Sequence, residues 1–305
     1  MRSHTANRFT TNNGTEVIGM ITRKEIVEKT AETLLRASTV FRPDQTEAYK
    51  RASEREESKH AKWVLENIIK NAEIAEDKVF PLCDDTGIPH ILVEVGEEAA
   101  VPAGFFSAVG EGVALGLRQL PGRPMAVKGN DYERISQSAG LSEDSGDLAM
   151  APIQIRTIPG KKIRLTLMMY GGGPEIRGKT LRVFHKHSVD TVVNEMIEWA
   201  IEGAKLLGCL PCILSFGIGR SNLEAASLSM VAMAKGNFSV QSEMEQKITD
   251  EVNKAGYGAL GLGGKTTALA TFVKVGPQRA SGIRVVSMRL GCCFDPRRAE
   301  WEFEA

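Results

Sequence analysis

The first apolar pattern along the chain has the period of an α-helix. After Thr22 the apolar residues recur at helical spacing, and Thr22 with Glu25 forms the sequence of a capping box, which marks a helix start. Pro43 suits the first turn of a second helix, and Ser58 is a good N-cap for a third. The sequence therefore begins with three predicted helices, whose inward residues are Ile26, Val27, Ala31, Leu34 and Leu35 in the first and Val64, Leu65, Ile68, Ile69 and Ala72 in the third.

After Gly87 the pattern changes to that of β-strands. Short apolar and β-branched runs are bounded by turn residues such as Pro159-Gly160. Glycine-rich and polar stretches separate them, and residues 129–150 are polar enough to predict a surface excursion. Strands are predicted at 90–95, 153–155, 163–168, 213–216, 267–275 and 283–289, and helices at 104–118, from Asp190 to Leu207, from Ser221 to 234, and at 242–255 before Gly256.

This order of elements predicts an α+β fold of layered α/β type. Helices come first, and a mixed sheet with packed helices follows. Residues 1–19 are polar and without periodicity, so we interpret them as a disordered tail or as an extension upstream of a start at Met20. Residues 20–305 form the predicted domain, in which 20–78 can be a helical subdomain.

Charge and composition narrow the class of protein. The chain has 305 residues, with 42% hydrophobic and 25% charged residues, as in an ordinary globular domain. Lys+Arg and Asp+Glu both total 38, and this balance argues against nucleic acid or an anionic membrane as the main partner. No run resembles a membrane helix or a secretory signal, so we expect a cytoplasmic protein, in which disulfides are disfavoured.

Five cysteines occur in three clusters, and these are the main candidates for chemistry. Cys83 stands alone, Cys209 and Cys212 form Cys-Leu-Pro-Cys, and Cys292 is followed by Cys293. One thiolate from each cluster would make a three-cysteine site, which on a four-iron cluster leaves one iron open as a Lewis acid. Buried small hydrophobic residues, half of a zinc site and a redox pair are the alternatives that the spacing leaves open.

Glycine-rich segments and two aspartates are further candidates. Gly217-Ile-Gly219 before a predicted helix would leave backbone N–H groups able to hold a carboxylate or sulfide. Residues 171–173 are all glycine, which suggests either a close backbone approach or a plain turn. The segment 259–266 nearly matches a phosphate loop but lacks its first glycine and precedes a predicted strand. Asp84 and Asp85 are turn formers or proton-handling groups.

Several of these segments together resemble the class I fumarase family of iron–sulfur hydro-lyases, and in particular its α subunit, which is shared with L-tartrate dehydratase. The segment Arg55-Glu-Glu-Ser58 and the predicted helix after it, up to Ile74, resemble the early helices of that family. The motifs that carry the resemblance are Pro81-Leu-Cys-Asp-Asp-Thr-Gly87, Cys209-Leu-Pro with Gly217-Ile-Gly219, Gly261-Leu-Gly-Gly-Lys-Thr-Thr-Ala268 and Cys293-Phe-Asp-Pro-Arg-Arg298.

The resemblance implies a [4Fe-4S] cluster held by Cys83, Cys209 and Cys293, with Cys212 and Cys292 as neighbours. Gly217 and Gly219 would lie at the cofactor. Asp85, Arg156 and Lys265 would be catalytic, with Asp85 orienting water or substrate and Arg156 binding a substrate carboxylate. In the family, the base and several substrate-binding residues come from a β part, which nothing after Arg298 resembles. A separate β subunit is therefore expected, in an α2β2 assembly or around an α homodimer.

Two departures from the family pattern fall near the expected substrate. Asp84 stands where the family has glutamine, and Arg156 where it has a histidine that contacts substrate. Arginine can bind a carboxylate through two hydrogen bonds, but it stays protonated and cannot act as a base at pH 7. The resemblance implies a hydro-lyase acting on a small dicarboxylate such as fumarate/malate or tartrate. A non-catalytic cluster-containing binding or regulatory homologue, and a structural zinc protein, are the alternative hypotheses.

Overall fold

The computed structural model describes residues 21–305, together with the backbone of two short antiparallel strands before them, β1 (Phe9–Thr10) and β2 (Glu16–Val17). The other residues of 1–19, which we interpreted as a tail or an extension, lie outside the part of the chain that the structure describes. In the described part no helix is both long enough and apolar enough to cross a membrane.

The three predicted N-terminal helices are present as α1 (Arg23–Thr39), α2 (Pro43–Arg55) and α3 (Lys59–Lys78). The Thr22 hydroxyl accepts a hydrogen bond from the Glu25 N–H at 3.1 Å, and the Ser58 hydroxyl accepts one from the Ala61 N–H at 3.4 Å. Both caps satisfy N–H groups that a helix start leaves without a partner.

The rest of the chain contains both helices and strands. Two 3-10 turns, Ser145–Asp147 and Ala259–Gly261, lie in the connections. The elements are β3 (Ile88–Gly96), α4 (Phe105–Gln119), α5 (Asp131–Ser136), β4 (Gln154–Ile158), β5 (Lys162–Tyr170), α6 (Gly172–Glu175), β6 (Lys179–Phe184), α7 (Val189–Leu206), β7 (Cys212–Gly219), α8 (Asn222–Lys235), α9 (Glu243–Asn253), β8 (Ala268–Val275), β9 (Ile283–Gly291) and β10 (Arg297–Glu304).

The longer strands form two mixed four-stranded sheets. The first has the order β10-β5-β3-β4, in which only β3 and β4 run parallel. The second has the order β6-β9-β7-β8, in which only β7 and β8 run parallel. The predicted mixed sheet is therefore two sheets, and the predicted α+β class is confirmed.

Helices cover the sheets and build the core in layers. The first sheet packs against α1 and α4 around Leu34, Phe105 and Leu167, and the second against α7 and α9 around Met196 and Leu214. Met230 and Met233 of α8 share a third apolar cluster with residues of both sheets, including Met168 and Phe272. Helix α8 therefore joins the two sheets, because it buries apolar side chains against each of them.

Some sequence-based predictions need correction. The N-cap of α7 is Ser188, whose hydroxyl accepts the Thr191 N–H, and not Asp190. Strands β6 and β10 were not predicted, because their residues alternate with many charged side chains and lie partly exposed. The excursion at 129–150 is largely exposed, but it includes the short helix α5, which Asn130 begins with a capping box.

Candidate cysteine site

Three cysteine-bearing loops meet at one end of the second sheet. Cys209 precedes β7 and Cys292 follows β9, and these antiparallel strands place Ile213 opposite Gly291. The Cys293 N–H accordingly donates to the Cys209 carbonyl at 2.9 Å. From the α3–β3 connection, the Cys83 thiol lies against the Cys292 thiol. The sheet register thus brings the Cys209 and Cys292–Cys293 segments together, and the Cys83 loop meets them from the α3–β3 connection.

The thiols at this meeting point differ in exposure. Cys209 is exposed and Cys83 is partly buried, whereas Cys292 and Cys293 are buried. The hydrogen bond with Cys292, together with burial, raises the pKa of the Cys83 thiol, and burial with the nearby Cys83 raises the pKa of Cys209. Both groups are therefore protonated thiols at neutral pH, and they would release protons on binding a metal centre.

The adjacent pair Cys292 and Cys293 face different surroundings. The pKa of Cys292 is raised by its hydrogen bond with the Cys293 thiol, and Cys292 also faces Cys83. Cys293 packs in the apolar cluster formed with α2 and α3, and its carbonyl accepts the hydroxyl of Tyr49. The motif spacing thus selects Cys293 as the third thiol, whereas the thiol contact selects Cys292.

Cys212 belongs to the hydrophobic core and not to this group. Its side chain is fully buried among apolar residues of the second sheet and α7. Burial raises the pKa of this thiol to about 12. The expectation that Cys212 is a neighbour rather than a ligand agrees with this position.

Asp85 connects the Cys83 loop to the glycine-rich turn after β5. One carboxylate oxygen accepts the Gly172 N–H at 2.8 Å, and the other accepts the Gly87 N–H at 3.1 Å. A Cβ on Gly171 would lie 2.8 Å from the carboxylate, so Asp85 would have to shift to admit a side chain there. The close approach occurs at Gly171, directly before α6, whereas a Cβ on Gly172 would lie 3.9 Å from the carboxylate and one on Gly173 would meet nothing within 4 Å. Asp84, by contrast, is exposed and pairs with Arg123 at 3.6 Å.

Two buried charged residues that the sequence analysis did not select lie behind the cysteines. Asp295 accepts the Cys292 N–H at 2.8 Å, and Arg297 donates to the Asp85 carbonyl at 2.6 Å and to the Thr86 carbonyl at 3.3 Å. Both residues are almost fully buried, at 0% and 3% exposure. A signal was available in the sequence, because Asp295 and Arg297 place two opposite charges within four residues of the last cysteine.

Lys265 lies on a loop that reaches the Cys209 segment. The N–H of Leu260, in the same loop, donates to the Leu210 carbonyl at 3.1 Å. The Lys265 N–H donates to the buried Glu56 carboxylate at 2.8 Å, and its ammonium pairs with Glu57 at 2.5 Å. The loop therefore flanks the site, while the Lys265 side chain is exposed beside the start of α3.

Gly217 and Gly219 do not lie with the cysteines. They are in β7 and not in a loop, at the end of the strand opposite to Cys212. Five to seven residues of strand separate them from Cys212, which corresponds to about 16–23 Å. A Cβ on Gly217 would lie 2.0 Å from the Ala225 carbonyl oxygen, so this glycine serves the close packing of α8 on β7.

Arg156 is also distant from the cysteine loops. In β4 it pairs with Glu94, six residues beyond the start of β3 at Ile88. That separation is about 20 Å along the strand. The structure therefore brings together Cys83, Cys209, Asp85 and the Lys265 loop but leaves Arg156 outside.

The thiols of the site are donors of the kind that an iron–sulfur group uses. In residues 21–305 no group of three or more His, Cys, Asp or Glu side chains is arranged around one ion. Thiolates on three loops, one of them exposed, are instead the ligands that iron–sulfur clusters use.

Comparison with known proteins agrees with the motifs. The family model described as "Fumarate hydratase (Fumerase)" matches residues 27–302. A putative L(+)-tartrate dehydratase subunit alpha of Methanocaldococcus jannaschii is 26% identical over 269 residues, covering 86% of this chain and 90% of that protein. The L(+)-tartrate dehydratase subunit alpha of Escherichia coli K12 is 23% identical over 260 residues, covering 84% and 83%.

A longer relative aligns over the same region. A putative class I fumarate hydratase of Geobacillus stearothermophilus is 24% identical over 305 residues, covering 91% of this chain and 56% of its own length. The family match spans α1 to β10 and therefore includes every cysteine loop described above. This chain belongs to the fumarate hydratase (Fumerase) family, whose named relatives are hydro-lyases.

Proposed function

We propose that this chain is the α-type subunit of an iron–sulfur hydro-lyase that reversibly adds or removes water on a small dicarboxylate, such as fumarate/malate or tartrate. The observation that carries the proposal is the meeting of three cysteine-bearing loops, one from each cluster. Membership of the family supports it, since the named relatives are tartrate dehydratase α subunits and a fumarate hydratase.

Cys83, Cys209 and one of the adjacent pair Cys292 and Cys293 would hold a [4Fe-4S] cluster. Family spacing favours Cys293, and the thiol contact with Cys83 favours Cys292. When bound, the cluster would supply an open iron that acts as a Lewis acid toward the substrate hydroxyl. Because Cys209 is the exposed thiol, we place the open side of the site at the Cys209 loop.

Two residues of this chain are proposed to act on substrate. The Asp85 carboxylate is held by two backbone N–H groups, so its charge has a fixed position from which to orient water or substrate. The Lys265 ammonium pairs with Glu57 on the surface, and such a pair contributes only about 0–1 kcal/mol. Lys265 can therefore exchange Glu57 for a substrate carboxylate at little cost. Arg156 is left out of this proposal because of its distance.

We further propose that a β-type subunit completes the site in the cytoplasm. The relatives are named as alpha subunits, which supports a partner chain. The assembly that we propose is α2β2 or an α homodimer. Removal of a proton from the carbon next to the hydroxyl needs a base. We assign that base, and further substrate-binding cations, to the partner.

One observation favours a second candidate, a non-catalytic cluster-containing homologue. Asp84 and Arg156 depart from the family pattern, and both are exposed. A binding or regulatory protein would keep the cysteine loops while such positions vary. Affinity capture of the native chain separates the two: a stable β-type partner supports the enzyme, and a capture without one supports the alternative.

The decisive experiment is anaerobic reconstitution with iron and sulfide. We expect a brown protein whose iron and sulfide stay bound on gel filtration, and hydration or dehydration of dicarboxylates after the β-type chain is added. Protein purified anaerobically that contains zinc and takes up no sulfide would overturn the proposal. A stable cluster without any activity in the complete complex would favour the non-catalytic candidate.

A further inference from the structure

Arg297 lies between two of the cysteine loops and contacts both. Its Nη1 donates to the carbonyls of Asp85 and Thr86 in the Cys83 loop. Its Nε lies 3.8 Å from a carboxylate oxygen of Asp295, and the other oxygen of Asp295 accepts the Cys292 N–H. A single buried ion pair therefore links the loop of Cys83 to the turn of Cys292.

The turn that carries Cys292 and Cys293 is also held from its other side. Gln45 of α2 donates to the carbonyls of Phe294 and Asp295, at 3.3 Å and 3.0 Å. Tyr49 of the same helix donates to the Cys293 carbonyl. The turn is thus fixed to α2 through its backbone carbonyls. The Cys83 loop is held at Leu82, whose N–H donates to the Ser38 carbonyl at 2.9 Å and whose carbonyl accepts the Asn71 amide at 3.1 Å. Arg297 and Asp85 connect the part that follows Cys83 to the Cys292 turn and to α6.

Two glycines, Gly87 and Gly171, leave room for the Arg297 side chain. A Cβ on Gly87 would lie 2.7 Å from Nη2 of Arg297, and one on Gly171 would lie 3.4 Å from it. Gly87 also has a φ of +79°, which a side chain disfavours. The guanidinium fills the gap between the Cys83 loop and the turn before α6, and it is 3% exposed.

We propose that Arg297 is a positioning residue, braced by Asp295, which sets the separation between the Cys83 loop and the Cys292–Cys293 turn and so determines whether the three thiols can hold their metal centre together. This inference rests on the proposed function, since it assumes that the thiols bind a cluster. Replacing a residue that orients metal ligands through hydrogen bonds, without binding the metal itself, commonly lowers the affinity for the metal.

Arg298 provides a matched control in the next position of the same strand. Its side chain points to the opposite face of β10, as successive strand residues do. It donates to the carbonyls of Met233 and Gly236 near the end of α8, and it contacts neither cysteine loop. The Arg298→Gln variant removes a largely buried guanidinium and two carbonyl contacts without touching the proposed site.

The test compares Arg297→Gln with Arg298→Gln in the full chain. After reconstitution, we expect Arg297→Gln to retain iron about 10–100-fold less well against a chelator than the unaltered chain, and Arg298→Gln to retain it normally. In cluster-free protein, the amides of Gly87 and Gly172 should exchange hydrogen faster in Arg297→Gln only, because both donate to Asp85 in the braced loop.

Equal iron retention in the two variants would overturn the inference, and so would unchanged exchange at Gly87 and Gly172 in Arg297→Gln. If Arg297→Gln does not fold, Arg297→Lys is measured in the same way. Lysine keeps the charge but loses the planar fork, so we expect an intermediate loss of iron, and no loss at all would contradict the proposal. Failure of the unaltered chain to bind iron would reject the proposed function. The hydrogen-exchange comparison would still show whether Arg297 holds the Cys83 loop in place.

Discussion

The Asp85 carboxylate accepts the Gly172 N–H at 2.8 Å, and this contact joins the Cys83 loop to α6. The second hydrogen bond, from the Gly87 N–H, lies within the Cys83 loop and fixes the orientation of the same carboxylate. The residue expected to orient substrate is therefore also a structural anchor of its own loop.

Replacement of Asp85 should consequently lower stability as well as activity. We expect Asp85→Ala to reduce the free energy of unfolding by about 1–3 kcal/mol, because two N–H groups lose a charged acceptor. Denaturant unfolding measures this. The control Asp84→Ala removes an exposed pair with Arg123 and an exposed contact from the Cys83 thiol, and it should change the free energy of unfolding by less than about 0.5 kcal/mol. Equal effects of the two variants would contradict the anchor.

Serine variants of the cysteines test the proposed ligand set. Cys83→Ser and Cys209→Ser should abolish the iron–sulfur absorbance after anaerobic reconstitution. Cys212→Ser should keep it, because the Cys212 thiol lies in the hydrophobic core. Full absorbance in both of the first two variants would reject the site.

A separate comparison of Cys292→Ser with Cys293→Ser decides the third ligand. Family spacing predicts that the Cys293 variant loses the cluster, and the contact between the thiols of Cys83 and Cys292 predicts that the Cys292 variant does. The electron paramagnetic resonance signal of the reduced protein distinguishes a lost cluster from one with an altered ligand. Retention of an unaltered signal in both variants would exclude both Cys292 and Cys293 as the third ligand.

Gly217 should tolerate no side chain. In Gly217→Ala the new Cβ would lie 2.0 Å from the Ala225 carbonyl oxygen and 2.3 Å from the Ser229 nitrogen, both backbone atoms of α8. We expect the free energy of unfolding to fall by about 1–3 kcal/mol or more as the helix is displaced. Gly282→Ala, where a Cβ meets nothing within 4 Å, is the control and should be nearly neutral. Matching unfolding midpoints would show that the helix adjusts freely.

His90 should make stability depend on pH on the acid side. Burial, with the nearby Arg289 guanidinium, lowers the pKa of His90 below its usual value of 6.5. The unfolded chain therefore binds more protons between the folded-state pKa and 6.5, and stability falls as the pH drops through that window. In His90→Gln this slope should flatten in unfolding curves measured below pH 6.5. An unchanged slope would mean that His90 does not titrate there.

The sequence by itself determined the local elements and the motifs. The period of the apolar residues predicted α1, α2 and α3, since helix caps and amphipathic faces depend on residues a few positions apart. The contexts of the three cysteine clusters likewise pointed to the family, which the match to residues 27–302 confirmed.

Only the tertiary structure decided which of the selected residues share a site. Strand register is a relation between distant segments, and it places Cys209 beside Cys293 while it puts Gly217 and Arg156 at the far ends of their sheets. The roles of Arg297 and Asp295 depend on burial against loops more than 200 positions away, such as that of Asp85. No local pattern records such contacts, because they form when the whole chain packs.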